Sequence, residues 1–398
     1  MLKLETEDKL AQRVVNKVEE LNEEILKKIG ESIKAISTLN ATQAHQLAQM
    51  LKYGGSYEEI VRSLAQISRK NVEEIREIFQ AVAKENKEFA KKFYKYRNLD
   101  YIPYQNDIPL QKQIRAIADL TAGEYLNITG TTGIGYTMRD LQGRLVFLDV
   151  RQAYNEVIDR AVMNVSQGKT TFQQEMRKTM KDIGRSGLVQ YESGRTRRLD
   201  SAVRMNILDG IREVNMMTSK RFGQEYGADG VEISVHENPA PDHEDIQGRQ
   251  FRHEEYEVLE DGGIAKDVKG VEYDGSEKRH IGELNCYHRT FEIVVGASEP
   301  EYTDKQLEEI KKRNQDGFDF EGKHYTRYEG TQLQRSIELE VRKQKDVKIL
   351  AQESGDTELA QQSEQKIRVL VAKYKELSEV SGLTERKDRM SISGYRRG

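Results

Sequence analysis

Tryptophan is absent, cysteine occurs once and proline only five times in the 398 residues. A lone cysteine cannot close an internal disulfide, which fits a reducing compartment, so folding in a cytoplasm is expected. Long hydrophobic runs are missing as well. No stretch approaches the roughly 18 continuous apolar residues of a membrane span. The opening MLKLETEDKLAQRVV lacks the apolar core of a secretory leader, and no membrane anchor is expected. Charge of one sign is not in excess either: 63 basic against 67 acidic side chains leave −4. A chain that coats nucleic acid by counterion release is clearly basic, so general DNA coating is disfavoured, while a local basic patch stays open.

What is present is charge and helix. Charged residues make up 33% of the chain and hydrophobic ones 36%, the latter below the roughly 45–50% of ordinary globular domains. That balance predicts an elongated, helix-rich protein with much surface for its core. The prolines act as punctuation: Pro103 and Pro109 flank one junction, Pro239 and Pro241 share a loop, and Pro300 marks another junction. Residues 1–102 and 301–398 contain none, as long uninterrupted helices require.

Residues 4–95 read as helices. Leu10, Val14, Val18 and Leu21 make a narrow apolar stripe on a charged rod, which predicts packing against other helices or an assembly partner. Tyr53-Gly54-Gly55 reads as a turn, and Ser56 with Glu59 as a capping box. Residues 96–150 change character and are expected to be an irregular linker. Their run ITGTTGIGYTM holds Gly130, Gly133 and Gly135 but no GK[ST], so a flexible turn is expected rather than a phosphate loop. Helix returns over 151–225. There Leu199, Val203, Ile207 and Ile211 form an i, i+4 stripe expected to be buried. Arg195, Arg197, Arg198, Arg204 and Arg212 charge the same region. They read as a solvated face, or as an anchor for acidic groups on a partner or elsewhere in the chain.

VEISV and FEIVV alternate as strands do. The segment 231–300 that holds them is acidic, with seven basic against seventeen acidic side chains. A small α+β unit with long loops fits. From Tyr302 the chain is helical again, with Thr303 and Gln306 as a capping box. A break at DGFDFEGKHYTRYEG precedes two helices, 331–352 and 357–380, joined around Ser354-Gly355 as an antiparallel hairpin. The tail MSISGYRRG reads as basic and extended. The expected fold is therefore α+β and predominantly helical. It divides into an N-terminal helical region (1–95), the linker (96–150), a central α+β module with Cys/His loops (151–300), and a C-terminal helical hairpin with its tail (301–398).

Chemistry concentrates in SVHENPAPDHEDIQGRQF (234–251) and ELNCYHRTF (283–291). Imidazole and thiolate are good zinc ligands, and His236, His243, Cys286 and His288 could supply the four of a structural site. No cofactor is required by the pattern, because the same residues could equally be hydrogen-bonded groups that pin loops together. Two catalytic readings use the same string. Cys286 and His288 could form a nucleophile pair oriented by Asp242 or Asp245. Alternatively, a metal-dependent hydrolase or nuclease could be centred on His236, His243, Cys286 and His288, or, if carboxylate-based, could use Asp242, Glu244 and Asp245 with His243.

The ordered series SGRTRRLDSAVRMNILDGIREVN, VEISVHENPAPDHEDIQGRQF, NCYHRTF and a helix starting after Tyr302 resembles the phage minor capsid protein 2 family. Its elements stand here as Ser193-Gly194-Arg195, Ser234-Val235-His236, Pro241/His243/Gln247-Gly248 and Asn285-Cys286-Tyr287-His288. Two stretches depart from the pattern: Asn238-Pro239-Ala240-Pro241 and Ile246 stand where the family often has a G-A-R-P-type stretch and an aromatic. The resemblance implies a low-copy structural component of the virion and no enzymatic reaction. It implies portal or major capsid protein as partners, packaged DNA as a further one, and a place in the capsid after assembly in the host cytoplasm. It also implies Arg195, Arg197, Arg198 and Arg204 as candidate contacts for an acidic partner surface or DNA. A helical adaptor with no site is the remaining alternative.

Overall fold

The computed structural model describes residues 4–53, 55–130, 134–140, 143–165, 169–186, 188–190, 196–282 and 286–392. The described residues are 67% helical, with 11 α-helices and a few small sheets among them, so the predominantly helical α+β expectation holds. The accessible surface is 20688 Å², against roughly 16,000 Å² for a compact monomer of this mass. The low apolar fraction foretold that excess.

Helices α1 (Leu4–Ser37), α2 (Ala41–Tyr53), α3 (Gly55–Tyr96) and α4 (Ile108–Thr129) come first, followed by the hairpin β1 (Ile134–Arg139) and β2 (Leu145–Asp149). Next are α5 (Val150–Val165), α6 (Lys169–Ser186), β3 (Leu188–Gln190), β4 (Thr196–Arg198) and the long α7 (Leu199–Tyr226). Strands β1 to β4 form one antiparallel sheet in the order β2-β1-β3-β4. The stripe Leu199, Val203, Ile207 and Ile211 of α7 is buried, as expected.

Helix α1 departs from its narrow-stripe reading. Val14, Val15, Val18, Leu21, Ile25, Leu26, Ile29, Ile33 and Ile36 are all buried, and α1 packs against α3, α5, α7 and α10 (Arg327–Ser354). Polar residues that look solvated in the sequence are buried too, because distant elements satisfy them. Glu7 meets Arg289 and accepts from Asn215, and Asn22 accepts from the Tyr136 hydroxyl.

Residues 96–150 are not an irregular linker, since they hold α4, β1 and β2. Asp107 caps α4 by accepting from Leu110 N, and the α4 residues Leu110, Ile114 and Tyr125 are buried. The glycine-threonine run is in part a strand. A Cβ on Gly135 would run into Leu148 O and the Phe147 ring, so glycine serves close strand pairing there rather than a loose turn. Gly54 and Gly133 lie outside the described residues, as does the Ser56 side chain of the expected capping box.

A second core belongs to the small α+β unit. Its strands β5 (Gly230–Ile233), β6 (Gln250–Arg252) and β9 (Thr290–Ile293) pair in the antiparallel order β6-β5-β9. Helix α8 (His253–Glu260) and the hairpin β7 (Ile264–Lys266) and β8 (Glu272–Asp274) pack beside them around Val231, Ile233, Ile246, Phe251, Leu259 and Tyr273. The Thr303–Gln306 capping box opens α9 (Asp304–Asp316).

The expected break after α9 is a hairpin, β10 (Phe318–Phe320) with β11 (Lys323–Tyr325). Helix α10 starts four residues earlier than expected because Thr326 and Glu329 form a capping box. It runs antiparallel to α11 (Thr357–Ser381): Gln334 meets Ser378, Glu338 meets Tyr374, and Lys348 meets Glu364. The start of the tail is not simply extended and exposed. Met390 and Ile392 are buried, while residues 393–398 lie outside those described.

Candidate functional site

Topology brings the Cys/His loops together. Strand β6 runs antiparallel to β5 with Glu232 opposite Gln250, and β9 runs antiparallel to β5 with Ile233 opposite Thr290. The end of β5, the start of β6 and the start of β9 therefore share one edge of the sheet. His236 follows β5, His243 and Gln247 precede β6, and Cys286 and His288 precede β9. Ser234 locks the outer pair by donating its backbone N–H to Arg289 O and accepting the Arg289 N–H at its hydroxyl, both at 2.8 Å. Gly248 closes the 241–248 turn by donating to Ile233 O. It adopts φ +71°, and a Cβ there would lie 2.6 Å from Leu307 Cδ2, so only glycine fits.

Three of the four candidate ligands converge. Cys286 Sγ lies 3.3 Å from His243 Nδ1 and 3.3 Å from His288 Nδ1, with all three residues buried. The backbone N–H of His288 donates to the same sulfur at 3.4 Å. Each ring is held from behind: His243 Nε2 meets Arg279 O at 2.7 Å, and His288 Nε2 meets Gln247 Oε1 at 3.2 Å. His236 stands beside this trio rather than in it, its ring 4.2 Å from that of His288 between centroids. The other histidines of the region are elsewhere: His253 meets Glu292, His280 meets Glu260, and His324 meets Asp319.

Electrostatics follow from burial and these contacts. Burial holds the His236 imidazolium down, to about 4, and pushes His288 well below the usual histidine range. At His243 burial also acts downward, but Cys286, Arg279 O and Asp242 outweigh it and the group is raised. At Cys286 burial acts upward, and the contacts with His243 and with the Gly282 and His288 backbone outweigh it, leaving the thiol lowered.

The acidic run that suggested a hydrolase is a set of loop pins. Asp242 grips Arg279 at 2.6 Å and 3.0 Å, Asp245 accepts from Lys278, and Glu244 accepts from Asn314 and Gln315. No acidic side chain supplies a ligand atom to the His243–Cys286–His288 group among the described residues, and Asp242 Oδ2 stands 3.6 Å from His243 Nε2, on the far side of the ring from the sulfur.

Beside the trio opens a polar cleft of about 450 Å³ whose walls include His236, Tyr287, Arg279, Arg335, Arg386 and Arg389. Arg389 donates to the Tyr287 hydroxyl at 2.8 Å. Arg386 donates to Asp8 and lies over the Tyr287 ring. Sequence reasoning missed Arg279, Arg386 and Arg389. Nothing local in the sequence marked them, because they reach the site from segments outside the two Cys/His strings.

The candidate contact arginines have internal uses. Arg198 is buried and bonds Asp200 and Asp346, Arg204 bonds Asp8 and Gln12, and Arg197 reaches the Met205 sulfur at 2.7 Å. Two of the five basic residues thus anchor acidic groups of distant helices in the same chain. Ser193, Gly194, Arg195 and Asn285 lie outside the described residues.

Fold and site define a predominantly helical α+β protein that carries, among the described residues, a buried Cys/His group at the edge of a three-stranded sheet. The chain matches the phage minor capsid protein 2 family over residues 3–378 and belongs to that family. Its role is accordingly that of a structural protein of a phage capsid, and its place is the virion. No curated protein and no solved structure matches the chain. No helix among the described residues is long and apolar enough to cross a membrane.

Proposed function

We propose that this protein is a low-copy structural component built into the phage head during assembly, where it docks on the portal protein at the portal vertex. The family match over residues 3–378 carries this reading. The reading assigns the chain no reaction. The sheet-edge unit acts as a rigid element, its Cys/His loops fixed by the bonds described above, and the long helices reach the neighbouring protein.

The surface at the end of α3 supports a protein partner. Phe89, Phe93 and Tyr96 follow i, i+4, i+7 spacing and are 42%, 37% and 88% exposed. Leu99 and Ile102, just beyond, are also exposed. An apolar row of this kind marks a surface meant to be covered. Packaged DNA receives less support, because the net charge is −4 and Arg198 and Arg204 already serve internal carboxylates.

A pull-down of the full-length chain with portal protein of the same phage tests the reading. Retention that persists as salt rises is expected, because the contact is largely apolar. Tyr96→Ser with Ile102→Ser, two largely exposed positions, should abolish retention while leaving the melting profile unchanged. Absence of retention at every salt concentration overturns portal docking, and retention by major capsid protein alone moves the contact to the shell.

A further inference from the structure

Hydrogen accounting at the buried trio exposes a conflict that a cation resolves. Arg279 O can only accept, so His243 Nε2, 2.7 Å away, carries its hydrogen. Gln247 Oε1 accepts the backbone N–H of His236 at 3.2 Å, which fixes the oxygen of that amide on this side. His288 Nε2, 3.2 Å from the same oxygen, therefore carries its hydrogen too. Both neutral rings consequently turn a bare Nδ1 lone pair on Cys286 Sγ, each at 3.3 Å.

The thiol has one proton and can satisfy only one of them. Moving that proton to either ring leaves the other lone pair facing a thiolate. Protonating both rings would satisfy the sulfur, but it places two adjacent imidazoliums in a site where His243, Cys286 and His288 are 0%, 5% and 1% exposed. One cation among the three atoms removes every such contact.

The geometry and the donor set agree on which cation. Zinc bonds of about 2.3 Å to sulfur and about 2.0–2.1 Å to nitrogen at tetrahedral angles set the sulfur–nitrogen separation near 3.5 Å. The two observed separations are 3.3 Å, and all three donor atoms lie within 4.8 Å of one another. One thiolate with two imidazoles suits zinc rather than calcium or magnesium. The rear contacts to Arg279 O and Gln247 Oε1 are those that orient metal-bound histidines. The backbone N–H of His288 on the sulfur favours the thiolate.

We propose that His243 Nδ1, Cys286 Sγ and His288 Nδ1 hold one zinc ion whose fourth position opens to the cleft beside His236 and is taken by water. His236 lines that cleft and stays outside the ligand group. The QG element then has a physical meaning: Gln247 orients one ligand, and Gly248 permits the turn that presents the other. This inference does not rest on portal docking.

The test uses the full chain loaded with zinc and then dialysed. Metal analysis should give one zinc per chain. Replacement by cobalt(II) should give thiolate-to-metal absorption in the near ultraviolet together with the visible bands of a four-coordinate ion. Cys286→Ser should lose the near-ultraviolet band, and Gln247→Leu should weaken zinc binding about 10–100-fold. His236→Ala should keep one zinc. A folded wild-type chain that binds no zinc, or whose cobalt form lacks the thiolate band, overturns the site. Loss of zinc in a folded His236→Ala variant overturns the three-ligand arrangement. The wild-type cobalt spectrum decides the matter even if a variant fails to fold.

Discussion

Replacing Arg198 by leucine should destabilise the protein severely at neutral pH and far less in mild acid. Arg198, at the end of β4, donates to Asp346 of α10 at 2.7 Å and meets Asp200 of α7 at 3.3 Å. Asp200 has a second cation, Arg342, at 2.7 Å, whereas Asp346 has no other basic partner among the described ion pairs. The three side chains Arg198, Asp200 and Asp346 are 6%, 4% and 1% exposed. Removing Arg198 therefore leaves one paired carboxylate and one buried, unpaired one.

An orphaned buried charge of this kind costs about 3–5 kcal/mol, whereas apolar replacement of a whole buried pair is often close to neutral. Arg198→Leu with Asp346→Leu should accordingly recover most of the loss. Burial already raises the Asp346 carboxyl, and Arg198 works against that rise, so its removal raises the group further. A carboxyl raised in the folded state carries no penalty below its unfolded pKa, and the penalty grows as pH climbs towards the folded one. The cost should thus be largest at pH 7 and shrink towards pH 4. Urea unfolding followed by far-ultraviolet circular dichroism, on both variants at both pH values, measures it. A single-variant loss under about 1 kcal/mol, or a double variant no more stable than Arg198→Leu alone, refutes the reasoning.

Gly248→Ala meets a left-handed backbone and a Cβ contact 2.6 Å from Leu307 Cδ2, so a loss of about 2 kcal/mol or more is expected in urea unfolding. An unchanged midpoint would show that the 241–248 turn adapts. Asp8→Ala removes the carboxylate shared by Arg204 of α7 and Arg386, in the segment between α11 and the tail, both at 3.0 Å. Trypsin should then cut after Arg386 and Lys387 sooner than in the wild type, with the cleavage sites read by mass spectrometry. Equal cleavage rates would mean that Tyr287 and the buried Met390 hold the tail without it.

Local signals were legible in the sequence wherever a structure is made by near neighbours. The α7 stripe, the Thr303–Gln306 box, β5 and β9, and the α10–α11 hairpin all rest on spacings of three, four or two residues. Helix α1 was legible as a helix but not as a central one, because what buries its Glu7 and Asn22 comes from Arg289, Asn215 and Tyr136, far along the chain. The three-residue strands β3, β4, β6, β7 and β8 are too short to show alternation. The Cys/His residues could be named from type alone, and the family's order of elements was legible as well. That His243 and His288 would flank the sulfur while His236 stood aside depended on the β6-β5-β9 register, which no single segment carries.

Particle composition tests the structural role most directly. Phage particles purified to constant density should contain this chain intact, at a copy number far below that of the major capsid protein, when measured by quantitative mass spectrometry. Its absence from DNA-filled, infectious particles, with the chain found only in the surrounding lysate, would contradict the account.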